Sequence, residues 1–168
     1  AQFQHLKLDI LSLGENGYVG IHNAGYNGME FIQGDAYNLS FFARTDDFTG
    51  AVNAALITPT GEVISQPVKV ENLTSDWQKY ELTLYADQDA AQGEFILYCT
   101  GGTGSVYLDV VSLIPDNAYE GKFRVDMVDM LKDMNPTFLR FPGGCYVEGA
   151  TMADAFRWKN TLGDKEDR

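Results

Sequence analysis

The chain has 168 residues and a mass of 18.6 kDa, enough for one domain with its own core and a short second segment. Hydrophobic residues make up 45% and charged residues 21%, which excludes a disordered chain, and no run of about 18 apolar residues predicts a membrane-spanning helix. The formal charge of −12 excludes nucleic acid and anionic membranes as partners but leaves a neutral glycan open.

Short segments of alternating polarity follow one another through the first two thirds of the chain. Within residues 37–44, for example, Tyr37, Leu39, Phe41 and Ala43 fall on one face, as a half-buried strand requires. Nine such strands are predicted, at 5–11, 18–21, 29–33, 37–44, 52–58, 63–70, 80–86, 95–99 and 106–110. Turn residues rich in Gly, Asn and Asp separate them. This pattern predicts an all-β fold, an antiparallel β-sandwich of the jelly-roll type.

The pattern changes after Pro115. Apolar residues at spacings of three and four predict a helix over 123–134, which Pro136 ends. A short strand over 137–141 and a Pro-Gly-Gly turn follow. We therefore expect a β-domain over 1–116 and a fragment of an α/β domain over 117–168. Cys99 and Cys145 are too few for a disulfide framework or a four-cysteine zinc site, and two free thiols, one of them buried, are expected.

Three motifs in the last third carry a family resemblance: DMVDMLKDMNP at 126–136, LRFPGGCYVEG at 139–149, and RWKNTLG at 157–163 followed by KEDR at 165–168. Together they resemble the family-51 glycoside hydrolases, which are mostly α-L-arabinofuranosidases. Upstream, residues 37–44, 76–81 and 106–115 resemble a carbohydrate-binding-module-like sandwich. Some members of the family carry such a module, inserted near the start of a catalytic (β/α)₈ barrel.

The resemblance implies roles for three residues of the barrel fragment. Arg140 would lie near the productive end of an early barrel strand and contact the sugar, and Trp158 would line the cleft. Cys145 occupies a position where many members have Asn, and a thiol is a weaker donor. The family's acid/base and nucleophile glutamates belong to later strands, so this chain alone is expected to be inactive. Glu148 and Asp154 are interpreted as a loop residue and a helix cap.

Within the sandwich, the loop residues His22, Asn23, Tyr26 and Asn27 combine an aromatic ring with amides, as a sugar site does, although Asn-Gly pairs are also ordinary turns. Trp77 opens a strand, and core packing is the favoured interpretation. Asp109 interrupts an apolar strand, either as a ligand of a structural Ca²⁺ or as a hydrogen-bonded carboxylate. No other cofactor is expected, because the two histidines lack metal-ligand spacing.

Two functions fit these observations better than an autonomous enzyme does. The sandwich is either an accessory glycan-binding domain or a purely structural insert that supports the barrel. A glycan-binding domain would have arabinan, arabinoxylan or their oligosaccharides as partners. In either case the sandwich would also contact the rest of the catalytic barrel. The resemblance places the parent enzyme outside the cytoplasm, in the periplasm or secreted.

Overall fold

A computed structural model of the chain describes residues 5–140 and 143–164. The chain divides into two compact units, one over residues 5–122 and one that contains residues 123–140 and 143–164. The division falls six residues after the boundary expected from the sequence at residue 116.

Nine strands form the first unit, each overlapping one of the nine predicted segments. They are β1 (Leu6–Ile10), β2 (Tyr18–Asn23), β3 (Met29–Phe31), β4 (Ala36–Asp46), β5 (Ala51–Ile57), β6 (Val68–Lys69), β7 (Gln78–Tyr85), β8 (Ala90–Thr100) and β9 (Gly104–Pro115). The predicted segment 63–70 is reduced to the two-residue β6 and isolated bridges at Val63 and Ser65.

The strands make two antiparallel sheets. One has four strands in the order β1-β9-β4-β7, and the other has five, with β2-β8-β5-β6 in order and β3 paired to β8. The predicted all-β sandwich is confirmed.

The core lies between the inner faces of the two sheets. The alternation along β4 is as predicted, since Tyr37, Leu39, Phe41 and Ala43 are all buried. The inward residues of β8, Phe95, Leu97 and Cys99, are buried too. The outward residues of the same strands therefore remain available for contacts outside the core.

A bulge in β9 breaks its alternation at Asp109 and Val110. The register of β4 against β9 shifts between Ser40 and Phe42, and Val110 has a φ of 48°, which is rare for a β-branched residue. The Val110 N–H donates to Asp109 Oδ1 at 2.8 Å. The bulge leaves Val110 half-buried and gives the Asp109 carboxylate a backbone partner of its own.

Trp77 departs from the prediction. It precedes β7 instead of opening its buried face, and 38% of its surface is exposed. Its ring packs edge-on against His5, with 5.5 Å between ring centroids. Trp77 is therefore an outer-face residue and not part of the core, because Tyr80, Leu82 and Leu84 face inward and the alternation of the strand puts position 77 on the opposite face.

The second unit contains a helix α1 (Val125–Asp133), a four-residue helix α2 (Cys145–Glu148) and a 3₁₀ turn (Trp158–Thr161). The helix lies within the predicted range, but the predicted strand is not formed at residues 137–140. A strand needs neighbours to pair its backbone groups, and this segment has none within the described residues. The rest of that predicted strand and Pro142 lie outside the described residues. None of the described helices is long and apolar enough to cross a bilayer.

Candidate functional site

The outer face of the five-stranded sheet carries a pair of tyrosine rings. Tyr18 of β2 and Tyr98 of β8 meet edge to face, with 5.7 Å between their ring centroids. Tyr18 is 63% exposed, whereas Tyr98 is half-buried. Because aromatic rings present flat apolar surfaces beside a polar hydroxyl, such a pair suits the C–H face of a sugar ring.

Gly20 allows the two strands to approach closely beside this pair. It lies opposite Tyr98 in the β2–β8 register, and a Cβ there would stand 2.7 Å from the Cα of Tyr98. A larger residue would push β2 away from β8 and separate the rings. Gly20 thus allows the outward rings of Tyr18 and Tyr98 to meet across the two strands.

Burial raises the pKa of the Tyr98 phenol above its usual range, and the neighbouring Tyr18 adds to the shift. The phenol therefore stays protonated well above neutral pH. A protonated phenol both donates and accepts hydrogen bonds, as a sugar hydroxyl does.

Polar side chains continue the same face. The His22 Nδ1 lies 2.7 Å from Glu94 Oε2, and the Asn53 Nδ2 donates to Thr100 Oγ1 at 3.2 Å. Glu94 is the more enclosed member of its pair, with 14% of its side chain exposed, and it holds the exposed imidazole in place. We call the outward side chains of Tyr18, His22, Asn53, Glu94 and Tyr98 the tyrosine face.

Of the four loop residues predicted to bind sugar, the structure brings only His22 to this face. The Asn23 Oδ1 accepts the Gly25 N–H at 2.7 Å and closes a turn. Tyr26 lies at the tip of that turn with 94% of its surface exposed, and Asn27 has a φ of 63°, as turn residues do. Asn23, Tyr26 and Asn27 therefore lie at the turn after β2, and their role as sugar contacts stays a prediction.

Sequence reasoning missed Tyr18 and Tyr98. A signal for Tyr98 was present, since inward Phe95, Leu97 and Cys99 imply that it points outward. Nothing in the sequence around Tyr18 indicated this pairing, because the residue that it meets on β8 depends on the β2–β8 register.

A small cavity of about 290 Å³ opens beside the turn after β2. Its lining is mostly apolar, with the two polar residues belonging to β2: Ile21, His22, Asn23, Met29, Phe95, Val111 and Leu113. It contains one ionisable side chain, so it presents little chemistry of its own.

The expected residues of the barrel fragment are only partly brought together. Cys145 lines an open cavity of about 610 Å³ with Asp154, Arg157 and Asn160, but Arg140 and Trp158 are not among its lining residues. Asp154 accepts the Thr151 hydroxyl at 2.8 Å within a turn, and no described helix begins or ends at it. Glu148 ends helix α2.

Metal ligation has no support from the described residues: no group of three or more His, Cys, Asp or Glu side chains among them is arranged to hold an ion. The Asp109 carboxylate is instead engaged by the bulge in β9.

Comparisons with known proteins bear on this arrangement. The family model of the alpha-L-arabinofuranosidase 1 domain matches residues 130–168. The arabinose-bound MgGH51 α-L-arabinofuranosidase superposes with a TM-score of 0.84 and 28% identity, over 98% of this chain and 28% of that one. The resemblance to the family-51 α-L-arabinofuranosidases is confirmed.

Curated relatives described as alpha-L-arabinofuranosidases match nearly the whole chain. Alpha-L-arabinofuranosidase 2 of Arabidopsis thaliana is 37% identical over 90% of this chain and 23% of its own length. The extracellular exo-alpha-L-arabinofuranosidase of Streptomyces chartreusis is 31% identical over 94% of this chain and 20% of its own length. The chain thus spans about a quarter of the length of the curated relatives that it matches.

Proposed function

We propose that the sandwich is the accessory glycan-binding domain of an α-L-arabinofuranosidase that acts on arabinose-containing plant polysaccharides. The tyrosine face is the observation that carries the proposal. It offers two rings for stacking and a set of amide, imidazole and carboxylate groups for sugar hydroxyls on one sheet surface.

Charge is consistent with this ligand class. A chain with a net charge of −12 repels polyanions, whereas neutral arabinan or arabinoxylan experiences no such repulsion. Within the tyrosine face, the Glu94 carboxylate has a hydrogen-bond partner in the His22 ring, so it is not left unpartnered beside a neutral sugar.

The second unit would be the start of the catalytic barrel. Phe138 and Leu139 are 82% and 90% exposed, and Met127 and Met130 of helix α1 and Met134 at its C-cap are exposed too. Burying each such side chain is worth about 1.5–3 kcal/mol, so a surface of this kind is expected to be covered by the later strands and helices of the parent barrel.

Catalysis would then belong to the completed barrel. Arg140, Cys145 and Trp158 are proposed to face its arabinose site once the later strands are present. The acid/base and nucleophile would come from those strands, as retaining glycosidases require two carboxyl groups about 5 Å apart. An extracytoplasmic parent is proposed from the relative described as extracellular.

Titration of the chain with arabinan and arabinoxylan oligosaccharides by isothermal calorimetry tests the binding proposal. Tyr98→Ala should weaken binding by about tenfold or more, corresponding to roughly 1.4 kcal/mol. Tyr85→Ala is the control, since it removes an exposed tyrosine from β7, on the other sheet and outside the tyrosine face. Melting curves would verify that both variants fold.

The alternative, a structural insert that binds no glycan, predicts a different outcome. The wild-type chain would show no heat with any arabinose-containing oligosaccharide, and that result would overturn the glycan-binding proposal. Equal loss of affinity in Tyr85→Ala and Tyr98→Ala would instead reject the tyrosine face as the binding site.

A further inference from the structure

The outer face of the four-stranded sheet carries a second constellation, separate from the tyrosine face. The Arg44 Cζ lies 3.6 Å from the centroid of the Tyr107 ring and 5.7 Å from that of Trp77. The His5 ring packs edge-on against both, at 5.5 Å from each centroid. We call His5, Arg44, Trp77 and Tyr107 the cation–aromatic cluster.

Strand pairing places these residues together although they lie far apart in sequence. Arg44 is directly opposite Tyr107 in the β4–β9 register, and Ala43 pairs with Gln78, which follows Trp77. Tyr107 is buried beneath the guanidinium, whereas Trp77 keeps about a third of its surface in solvent. The cluster is therefore a fixed platform with an open side.

The Arg44 guanidinium has no carboxylate partner among residues 5–140 and 143–164, and no hydrogen-bond acceptor there engages it. Two lysines on the same sheet do have carboxylate partners, since Lys7 pairs with Asp9 at 2.8 Å and Lys79 with Glu81 at 2.7 Å. In a chain with 24 acidic and 12 basic residues, it is unusual for an arginine to lie over an aromatic ring with its donors unused. Those donors are free to bind an external acceptor.

The chemistry of the cluster defines its ligand. A planar guanidinium pairs with a carboxylate through two parallel hydrogen bonds, which an ammonium cannot do. The exposed Trp77 ring beside it offers a surface for the apolar side of a sugar ring. A sugar that carries a carboxylate satisfies both features at once.

We propose that the cation–aromatic cluster binds a hexuronic acid residue attached to the polysaccharide. This inference rests on the proposed function, because it takes the ligand to be a plant polysaccharide. The net charge of −12 disfavours a continuous polyuronate, so an isolated acidic side group on a neutral chain is the expected ligand.

Calorimetric titration with two xylo-oligosaccharides that differ only by one glucuronic acid side group tests the proposal. The acidic one should bind about tenfold more tightly at low salt, and the difference should shrink as salt is raised. Arg44→Gln should abolish the difference. Arg44→Lys should restore only part of it, since the charge returns without the planar fork.

Lys69→Gln is the matched control, since it removes an exposed cation from the other sheet. It should leave the difference between the two ligands unchanged. Equal affinity for the two oligosaccharides, or a difference that survives in Arg44→Gln, would overturn the inference.

Methyl glucuronide separates this inference from the proposed function, because it lacks any neutral glycan for the tyrosine face. It should shift the Trp77 indole N–H resonance in the wild-type chain and in Tyr98→Ala, but not in Arg44→Gln. Binding of methyl glucuronide without binding of neutral oligosaccharides would support the cluster and reject the tyrosine face. Absence of any shift would reject the cluster, as expected if another part of the parent enzyme covers it.

Discussion

The ring of Phe31 lies so closely against Gly93 that a β-carbon at position 93 would overlap it. Phe31 is fully buried and meets the Tyr37 ring edge-on, with 4.9 Å between centroids. The Tyr37 hydroxyl accepts the Ile32 N–H at 2.9 Å, which ties the short β3 to the same cluster. Gly93 of β8 thus leaves room for the Phe31 ring, and the packing of that ring stabilises the end of the sandwich near β3.

Gly93→Ala is expected to lower the free energy of unfolding by about 1–3 kcal/mol, because the added methyl group overpacks the Phe31 ring. Urea denaturation would measure the change. Gly14→Ala is the control, since a Cβ there has no atom within 4 Å and should be nearly neutral. Equal stability of the two variants would show that Phe31 can move aside at little cost.

The two cysteines should differ in reactivity. Cys99 is buried and burial raises its pKa to about 11, whereas Cys145 is exposed. At pH 8 iodoacetamide should modify one thiol rapidly, and the second only after denaturation. Cys145→Ser should remove the rapid phase, and rapid modification of both thiols in the native wild-type chain would contradict the burial of Cys99.

The same pKa shift gives a pH dependence. Above the ordinary thiol pKa, near 8.5, the unfolded chain loses the Cys99 proton while the native chain keeps it until about pH 11. The contribution of Cys99 to stability is therefore complete at neutral pH and is lost as pH rises through this window. Cys99→Ala should remove that part of the alkaline slope of the unfolding free energy.

Truncation tests where the sandwich ends. A chain of residues 1–122 should melt at nearly the same temperature as the whole chain, because this boundary separates the two compact units. A chain of residues 1–115 should be less stable. It loses Asp116, whose N–H donates to Ala36 O at 2.9 Å and whose Oδ1 accepts Asn38 Nδ2 at 2.9 Å.

The loss from the shorter truncation should be about 1–3 kcal/mol, since each hydrogen bond contributes roughly 0.5–1.5 kcal/mol. Neither truncated chain nor the whole chain should release sugar from an aryl arabinofuranoside. Unfolding of the 1–122 chain would show that residues beyond 122 belong to the core of the sandwich.

Strand positions and the inward faces could be predicted from sequence, because alternation is a local property with a period of two residues. Leu39 and Phe41 are buried as expected, and the helix α1 forms where spacings of three and four place it. The family motifs likewise identified the second unit by its local sequence. These features depend on residues within a few positions of one another.

Predictions from the local sequence pattern were wrong where the conformation of a segment depends on residues outside it. Residues 137–140 have the composition of a buried strand but form none, because a strand requires a partner for its backbone groups. Asp109 interrupts an apolar strand for a reason that only the bulge reveals. Trp77 has the hydrophobicity of a core residue but lies on the outer face, next to Arg44.

The two candidate binding surfaces, the tyrosine face and the cation–aromatic cluster, could not be predicted from the sequence. The sequence alone determined the sandwich, its inward faces and the family, since each is encoded in short-range patterns. The contact of Tyr98 with Tyr18 and that of Arg44 with Tyr107 are visible only in the folded chain, because both depend on the register between strands. A shift of one residue in either register would turn these side chains to the opposite face.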